Sequence, residues 1–228
     1  MLLSIDTAGV QCAVAISKND RLIAARILDE PRIHSARLVP LIDEVVRAAG
    51  YRMADVQAVA VSRGPGSFTG LRIGVSTAKG IAFGLGIALV GVPTFEALAQ
   101  ANVGLVDEGE TLVTASPSRR NEAYVQFWEV VGTSAVALSE PQSLTFEELA
   151  QAASGFDTRL VLVGEGAGLL DARRPEPSTL KPAVYGVVEL GGARLARGEV
   201  EDVESFEPFY LKEFVAKKGG SPFDRLKF

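Results

Sequence analysis

Cysteine and histidine are almost missing from this sequence. Its 228 residues hold one of each, Cys12 and His34. A lone cysteine excludes an internal disulfide, and a chain without a disulfide framework is expected in the cytoplasm. The same two residues fall short of the four N and S ligands of a structural zinc site. A Ser-His-Asp triad would have to use His34, no G-x-S-x-G elbow is present, and no H-E-x-x-H pair occurs. Metallohydrolase and serine or cysteine hydrolase chemistry therefore lacks its parts. His34 reads instead as a capping or hydrogen-bonding surface residue.

Long apolar runs are also missing. The stretch from Ile81 to Val92 comes closest, but glycines interrupt it and Pro93 closes it, well short of the roughly 20 residues that span a bilayer. Met1 to Asp6 turns polar at once, so no signal segment is expected there and no membrane association either. Positive charge is scarce. The formal net charge is −5, and Arg119-Arg120, Arg173-Arg174 and Lys217-Lys218 are isolated pairs rather than a basic block. A chain that grips nucleic acid by itself normally shows a basic face, so direct tight binding of nucleic acid is not expected.

What the chain does have is core. Hydrophobic residues make up 47% of it, enough to fill one large or two modest domains. Leu2 to Asp6, Cys12 to Ser17 and Arg21 to Leu28 read as strands joined by the turns Thr7-Ala8-Gly9 and Lys18-Asn19-Asp20. Leu38, Leu41, Ile42, Val45 and Val46 fall at helical spacing, with Pro40 expected in the first turn. A strand at Ala58 to Val61, a helix, a strand at Ile87 to Val90 and a helix after Pro93 complete a first half. A second half repeats these types with strands at Thr111 to Ala115, Glu122 to Glu129, Ser134 to Leu138 and Arg159 to Val163. Thr145 caps one of its helices, and Ala183 to Arg197 forms another. Two successive β-β-β-α-β-α units predict an α/β chain with the duplicated ribonuclease-H-like architecture of actin, Hsp70 and the sugar kinases, its mixed sheets flanked by helices. The expected domains are residues 1–102 and 103–212, followed by a flexible tail at 213–228.

The most informative segment is Ser62-Arg63-Gly64-Pro65-Gly66-Ser67-Phe68-Thr69-Gly70-Leu71-Arg72. It bends from a strand into a helix and places Thr69 at an expected N-cap. That helix has a bare side. Gly70, Gly74, Ala78 and Ala82 recur every fourth residue, and Ser76, Gly80 and Gly84 line a neighbouring strip. Interior helical glycine costs about 1 kcal/mol relative to alanine, so the strip needs a packing reason. Two readings stand: tight packing on the chain's own sheet, or a seat for another helix.

Taken in order, Ile5-Asp6-Thr7-Ala8, His34-Ser35 with Leu38 and Pro40, the Gly64 to Gly74 block, Gly91-Val92 and Glu207-Pro208-Phe209-Tyr210-Leu211-Lys212 resemble the TsaB (YeaZ) family, strongly over residues 1–100. The resemblance implies an accessory subunit in the threonylcarbamoylation of adenosine beside the anticodon of tRNA. Such a subunit has no catalytic residues of its own and supports the transferase TsaD as a heterodimer. It also implies docking of the ATPase TsaE, contact with tRNA only through the complex, and a homodimer when alone. The transferase pattern carries a metal-binding histidine pair where this chain has Thr94 and Leu98, and leucine's hydrocarbon side chain offers no lone pair to a metal. The Asp-Ala-Arg-like stretch common in the family is replaced here by Ser116 to Asn121. On this reading the partner and dimer face comprises Leu38, Leu41, Ile42 and Val45 of the first helix with Gly70, Leu71, Gly74, Val75, Ala78 and Ala82 of the second.

An alternative is a small-molecule kinase or ATPase of the same superfamily. Asp6, Thr7 and Gly9 would then meet phosphate and hydrated Mg²⁺, and Gly164 and Gly166 would form a second phosphate or adenosine loop. On the scaffold reading no cofactor is required, and ATP or ADP would sit at or near the partner interface. Peptidase activity, once ascribed to relatives, is opposed by the single histidine and the missing zinc ligands.

Overall fold

Two mixed sheets of the same plan organise the chain. A computed structural model describes residues 1–118, 121–165, 170 and 172–212. Gly166 of the second glycine-rich loop and the tail at 213–228 lie outside the described residues.

The first sheet contains β1 (Leu2–Asp6), β2 (Cys12–Lys18), β3 (Arg21–Leu28), β4 (Ala58–Gly64) and β5 (Ala88–Pro93), in the order β3-β2-β1-β4-β5. Short turns make β1, β2 and β3 antiparallel, whereas β4 and β5 join in parallel. Parallel neighbours need crossovers, which α1 (His34–Ala48) and α2 (Phe68–Leu85) provide. After α3 (Thr94–Asn102) the plan repeats with β6 (Glu110–Pro117), β7 (Glu122–Val131), β8 (Ser134–Ala137), β9 (Gln142–Thr145), α4 (Phe146–Ser154) and β10 (Arg159–Gly164). The second sheet runs β10-β6-β7-β8, with β9 paired to β7. This is the duplicated ribonuclease-H-like, actin-like fold. The last helix is α5 (Ala183–Ala196).

Two local expectations are corrected, and one strand is added. Pro40 lies in the second turn of α1, where its missing N–H leaves the Ala36 carbonyl without a helical partner; both residues are exposed to water. The cap of α2 is Ser67, whose hydroxyl accepts from the Gly70 N–H at 3.2 Å, and Thr69 is already inside the helix. The four-residue β9 also joins the second sheet, although its polar sequence gives no alternating pattern. At α4 the cap is as the sequence implies. The Thr145 hydroxyl accepts from the Glu148 N–H at 3.2 Å, and the Thr145 N–H donates to the Glu148 carboxylate at 2.8 Å.

The first sheet is covered on both faces. Leu3, Ile5, Val14, Ile16, Val59 and Val61 pack under α1 and α2. The opposite face is paved with Ala13, Ala15, Ala58 and Ala60, and α5 lies on it. The small residues let that helix come close: a Cβ on Gly191 would stand 2.6 Å from the Ala60 Cβ. The boundary at residue 102 therefore separates the sheets but not the packing. Helix α5 and the segment to residue 210 belong to the layers of the first sheet, with Glu201 bridged to Leu89 and Phe206 in the first core. Helix α3 in turn packs against the second sheet, joining Phe95 and Ala99 to Leu112, Trp128, Val161 and Val163.

Candidate functional site

The glycine-rich bend leads from β4 into α2 directly above the end of β1. The Thr7 hydroxyl donates to the Gly70 carbonyl at 2.8 Å. A Cβ on Gly70 would lie 2.1 Å from the Thr7 carbonyl oxygen, and one on Gly74 would lie 2.2 Å from Thr7 Oγ1. The bare strip thus meets the chain's own first sheet: Thr7, just past the end of β1, lies beneath Gly70 and Gly74, and Ala78 and Ala82 join the first core.

This overturns the expected partner face. Leu38, Leu41, Ile42 and Val45 are buried, and so are Gly70, Leu71, Gly74, Val75, Ala78 and Ala82. The physical reason is that a helix lying on a sheet needs an apolar or small stripe at the same spacing as a helix docking on another helix. Here the chain's own sheet takes that stripe on both helices.

The neighbouring strip faces outward. Ser76, Gly80 and Gly84 are exposed, and a Cβ on Gly80 or Gly84 would meet nothing within 4 Å. Beside them Phe83 is 75% exposed, and on α1, which touches α2, Val39 is 63% exposed. Among the described residues nothing requires glycine at 80 and 84 or a phenylalanine at 83.

The Glu207 to Lys212 motif straps this region. The Phe209 N–H donates to the Arg63 carbonyl at 2.6 Å, and Gly64, at φ +119°, passes so close that a Cβ would lie 2.1 Å from the Phe209 carbonyl oxygen. Arg72 Nε donates to the Tyr210 hydroxyl at 3.2 Å, and Lys212 Nζ reaches the Glu122 carboxylate at 2.6 Å on the other sheet. Lys79 Nζ donates to the carbonyls of Glu204 and Phe206 at 3.0 and 2.8 Å.

Between the sheets lies a cavity of about 740 Å³, adjoined by one of about 450 Å³. The structure brings Asp6, Gly9 and Gly164 of the candidate nucleotide residues to the smaller cavity and leaves Thr7 out, its hydroxyl engaged at Gly70. Asp6 is 5% exposed, and burial pushes its carboxyl above the usual range. The Ser62 hydroxyl and the Ala8 N–H oppose that rise. His34 is buried rather than on the surface, with Nε2 3.2 Å from the Gln11 carbonyl oxygen. Gly164, at φ +102°, has a structural cause in the close pass of the Ala115 carbonyl. The residue that sequence reasoning left without a role is Glu165, whose carboxylate accepts from the Val10 N–H at 2.6 Å. No local pattern could have signalled a contact across so long a stretch of chain.

A family model described as TsaD, tRNA N6-adenosine threonylcarbamoyltransferase, matches residues 29–163. The tRNA threonylcarbamoyladenosine biosynthesis protein TsaB of Escherichia coli K12 is 31% identical over 95% of this chain and 96% of its own. The chain belongs to the TsaB family.

The TsaB protein of Haemophilus influenzae is 37% identical over 54% of this chain and 51% of its own. The crystal structure of YeaZ from Pseudomonas aeruginosa superposes with a TM-score of 0.79 at 28% identity, covering 92% of this chain and 99% of that one. TsaB membership places the chain in tRNA threonylcarbamoyladenosine biosynthesis. Within the stretch that matches the transferase model, Thr94 and Leu98 serve this chain's own packing. The Thr94 hydroxyl accepts from the Gly64 N–H at 3.0 Å, and Leu98 packs into the cores on either side of α3. Among the described residues no three His, Cys, Asp or Glu side chains gather as a metal site, and no helix is long and apolar enough to cross a membrane.

Proposed function

We propose that this TsaB-family chain is a non-catalytic scaffold subunit. It binds and supports the transferase TsaD through the outward sides of α1 and α2, with TsaE docking on the pair and tRNA reached only through the complex. The carrying observation is the outward strip of Gly80, Gly84, Phe83 and Val39, small and apolar with no packing partner among the described residues that calls for it. Open glycines allow a partner helix close approach, while exposed Phe and Val supply apolar area to bury. The same face would pair two copies when TsaD is absent. Thr94 and Leu98, spent on internal packing, support the non-catalytic reading. No cofactor is assigned to this chain, any ATP or ADP of the cycle is placed at or near the partner interface, and the working compartment is the cytoplasm.

The test is size-exclusion chromatography of the chain mixed with TsaD. Phe83→Asp and Gly80→Glu should each abolish co-elution while shifting the chain's melting temperature by no more than a few degrees. Co-elution of both variants at wild-type strength would refute the proposed face.

A further inference from the structure

One contact in the cleft plays no part in docking a partner on the far side of the first sheet. Glu165, at the end of β10, reaches the β1–β2 turn, and Val10 donates its N–H to Oε1 at 2.6 Å. That is the short range of a charge-assisted hydrogen bond. Gly9 makes room for the approach, because a Cβ there would lie 2.5 Å from the same oxygen. A turn amide with a glycine beside it is the kind of backbone concavity that holds an oxyanion. The contact opens on the larger cavity, whose wall also carries Arg32 and Lys212. The buried hydroxyls of Ser116 and Ser118 line that cavity too, and neither has a hydrogen-bond partner among the described residues. The wall thus holds unspent polar groups, yet the best donor position is filled by the chain's own carboxylate.

We infer that Glu165 acts as a built-in anion, occupying the β1–β2 turn amide in place of a phosphate oxygen and keeping phosphate-bearing solutes out of the cleft while it stays there. Because the donor belongs to the first sheet and the acceptor to the second, the same bond clasps the two halves together. Glu165 is exposed, so a competing solute can reach it. The inference is independent of the proposed partner face, which lies on different residues.

Isothermal titration of the full chain with pyrophosphate and with ADP, each with Mg²⁺, tests this. The wild type should show no saturable binding up to millimolar concentration. Glu165→Ala should bind at least one probe ten or more times more tightly: pyrophosphate alone would point to a bare oxyanion, and ADP to a nucleotide. Adding Gly9→Ala places a methyl in the vacated space and should abolish the gain. In amide NMR spectra the Val10 proton should shift upfield in Glu165→Ala as the charge-assisted bond is lost. Glu165→Gln, which keeps an acceptor but drops the charge, should give a smaller gain in the same direction and serves if the alanine variant does not fold. The inference is overturned if Glu165→Ala binds no better than wild type, if the gain survives Gly9→Ala, or if the Val10 proton does not move.

Discussion

Gly74 rests directly on Thr7. A Cβ on the glycine would lie 2.2 Å from Thr7 Oγ1, and that hydroxyl is committed to the Gly70 carbonyl at 2.8 Å. Gly74→Ala should destabilise the chain, because the methyl must push α2 off the sheet or break a buried hydrogen bond. Overpacking costs about 1–3 kcal/mol, more than the roughly 1 kcal/mol that alanine gains over glycine in a helix. Gly80→Ala on the same helix should do the reverse and stabilise by about 0.5–1 kcal/mol, since its Cβ meets nothing. Urea unfolding of the two variants measures both signs. Equal effects would mean that the helix is rotated from the orientation described.

That contrast marks where the sequence stops being informative. The apolar runs of β1, β2 and β4 could be read because central strands buried on both faces are nearly continuous in Val, Ile, Leu and Ala, with turn residues at their ends. The rotation of α2 could not be read. Gly70-Gly74-Ala78-Ala82 and Ser76-Gly80-Gly84 are both strips of small residues, centred about 140° apart around the helix, and periodicity alone does not say which one meets the sheet. Phe83 and Val39 held a usable clue, since each is a large apolar residue outside its helix's buried stripe. The placement of α5 on the first sheet was also hidden, because the order of elements does not say which sheet a late helix covers. Of the cleft, Asp6 and Gly9 were legible from the turn they flank, whereas Glu165 is joined to Val10 only by tertiary structure.

Asp6 should be a burden on stability at neutral pH. Burial raises its pKa above the usual 3.8, so the ionised form is disfavoured in the folded chain relative to the unfolded one. Stability is therefore lost as pH rises through 3.8 and up to the folded-state pKa, then levels off. Asp6→Asn, which keeps an oxygen for the Ala8 N–H, is expected to raise the melting temperature at pH 7, with the advantage vanishing below pH 3.8. Melting curves from pH 3 to pH 8 check the sign. ATP turnover assayed on the same pair should be absent from both proteins; turnover by the wild type that Asp6→Asn abolishes would favour a kinase or ATPase.

Cys12 should be silent toward thiol reagents in the native chain. It is fully buried, and desolvation together with the nearby Asp6 carboxylate pushes its pKa up to about 11. At pH 8 that leaves about one thiolate per thousand, before access is considered. Disulfide-exchange reagents should therefore react over hours in buffer and within seconds to minutes in guanidinium. Fast reaction in buffer would mean that β2 opens readily from the sheet.

The strap depends most on Phe206. Its ring is 5% exposed, lies 5.5 Å from the Arg63 guanidinium carbon, and fills the space above Gly91, where a Cβ would come within 2.8 Å of it. Its carbonyl accepts from Lys79 Nζ at 2.8 Å. Phe206→Ala should cost about 3–5 kcal/mol, the usual range for emptying a buried phenylalanine site. The loss should not stay local, because the Phe209 bond to Arg63 and the Tyr210 bond to Arg72 follow from the course this ring fixes. Limited proteolysis should therefore cut first between residues 201 and 212 in the variant and much later in wild type. A variant that loses stability while the strap keeps its native resistance would show that Phe206 fills the core without holding the strap.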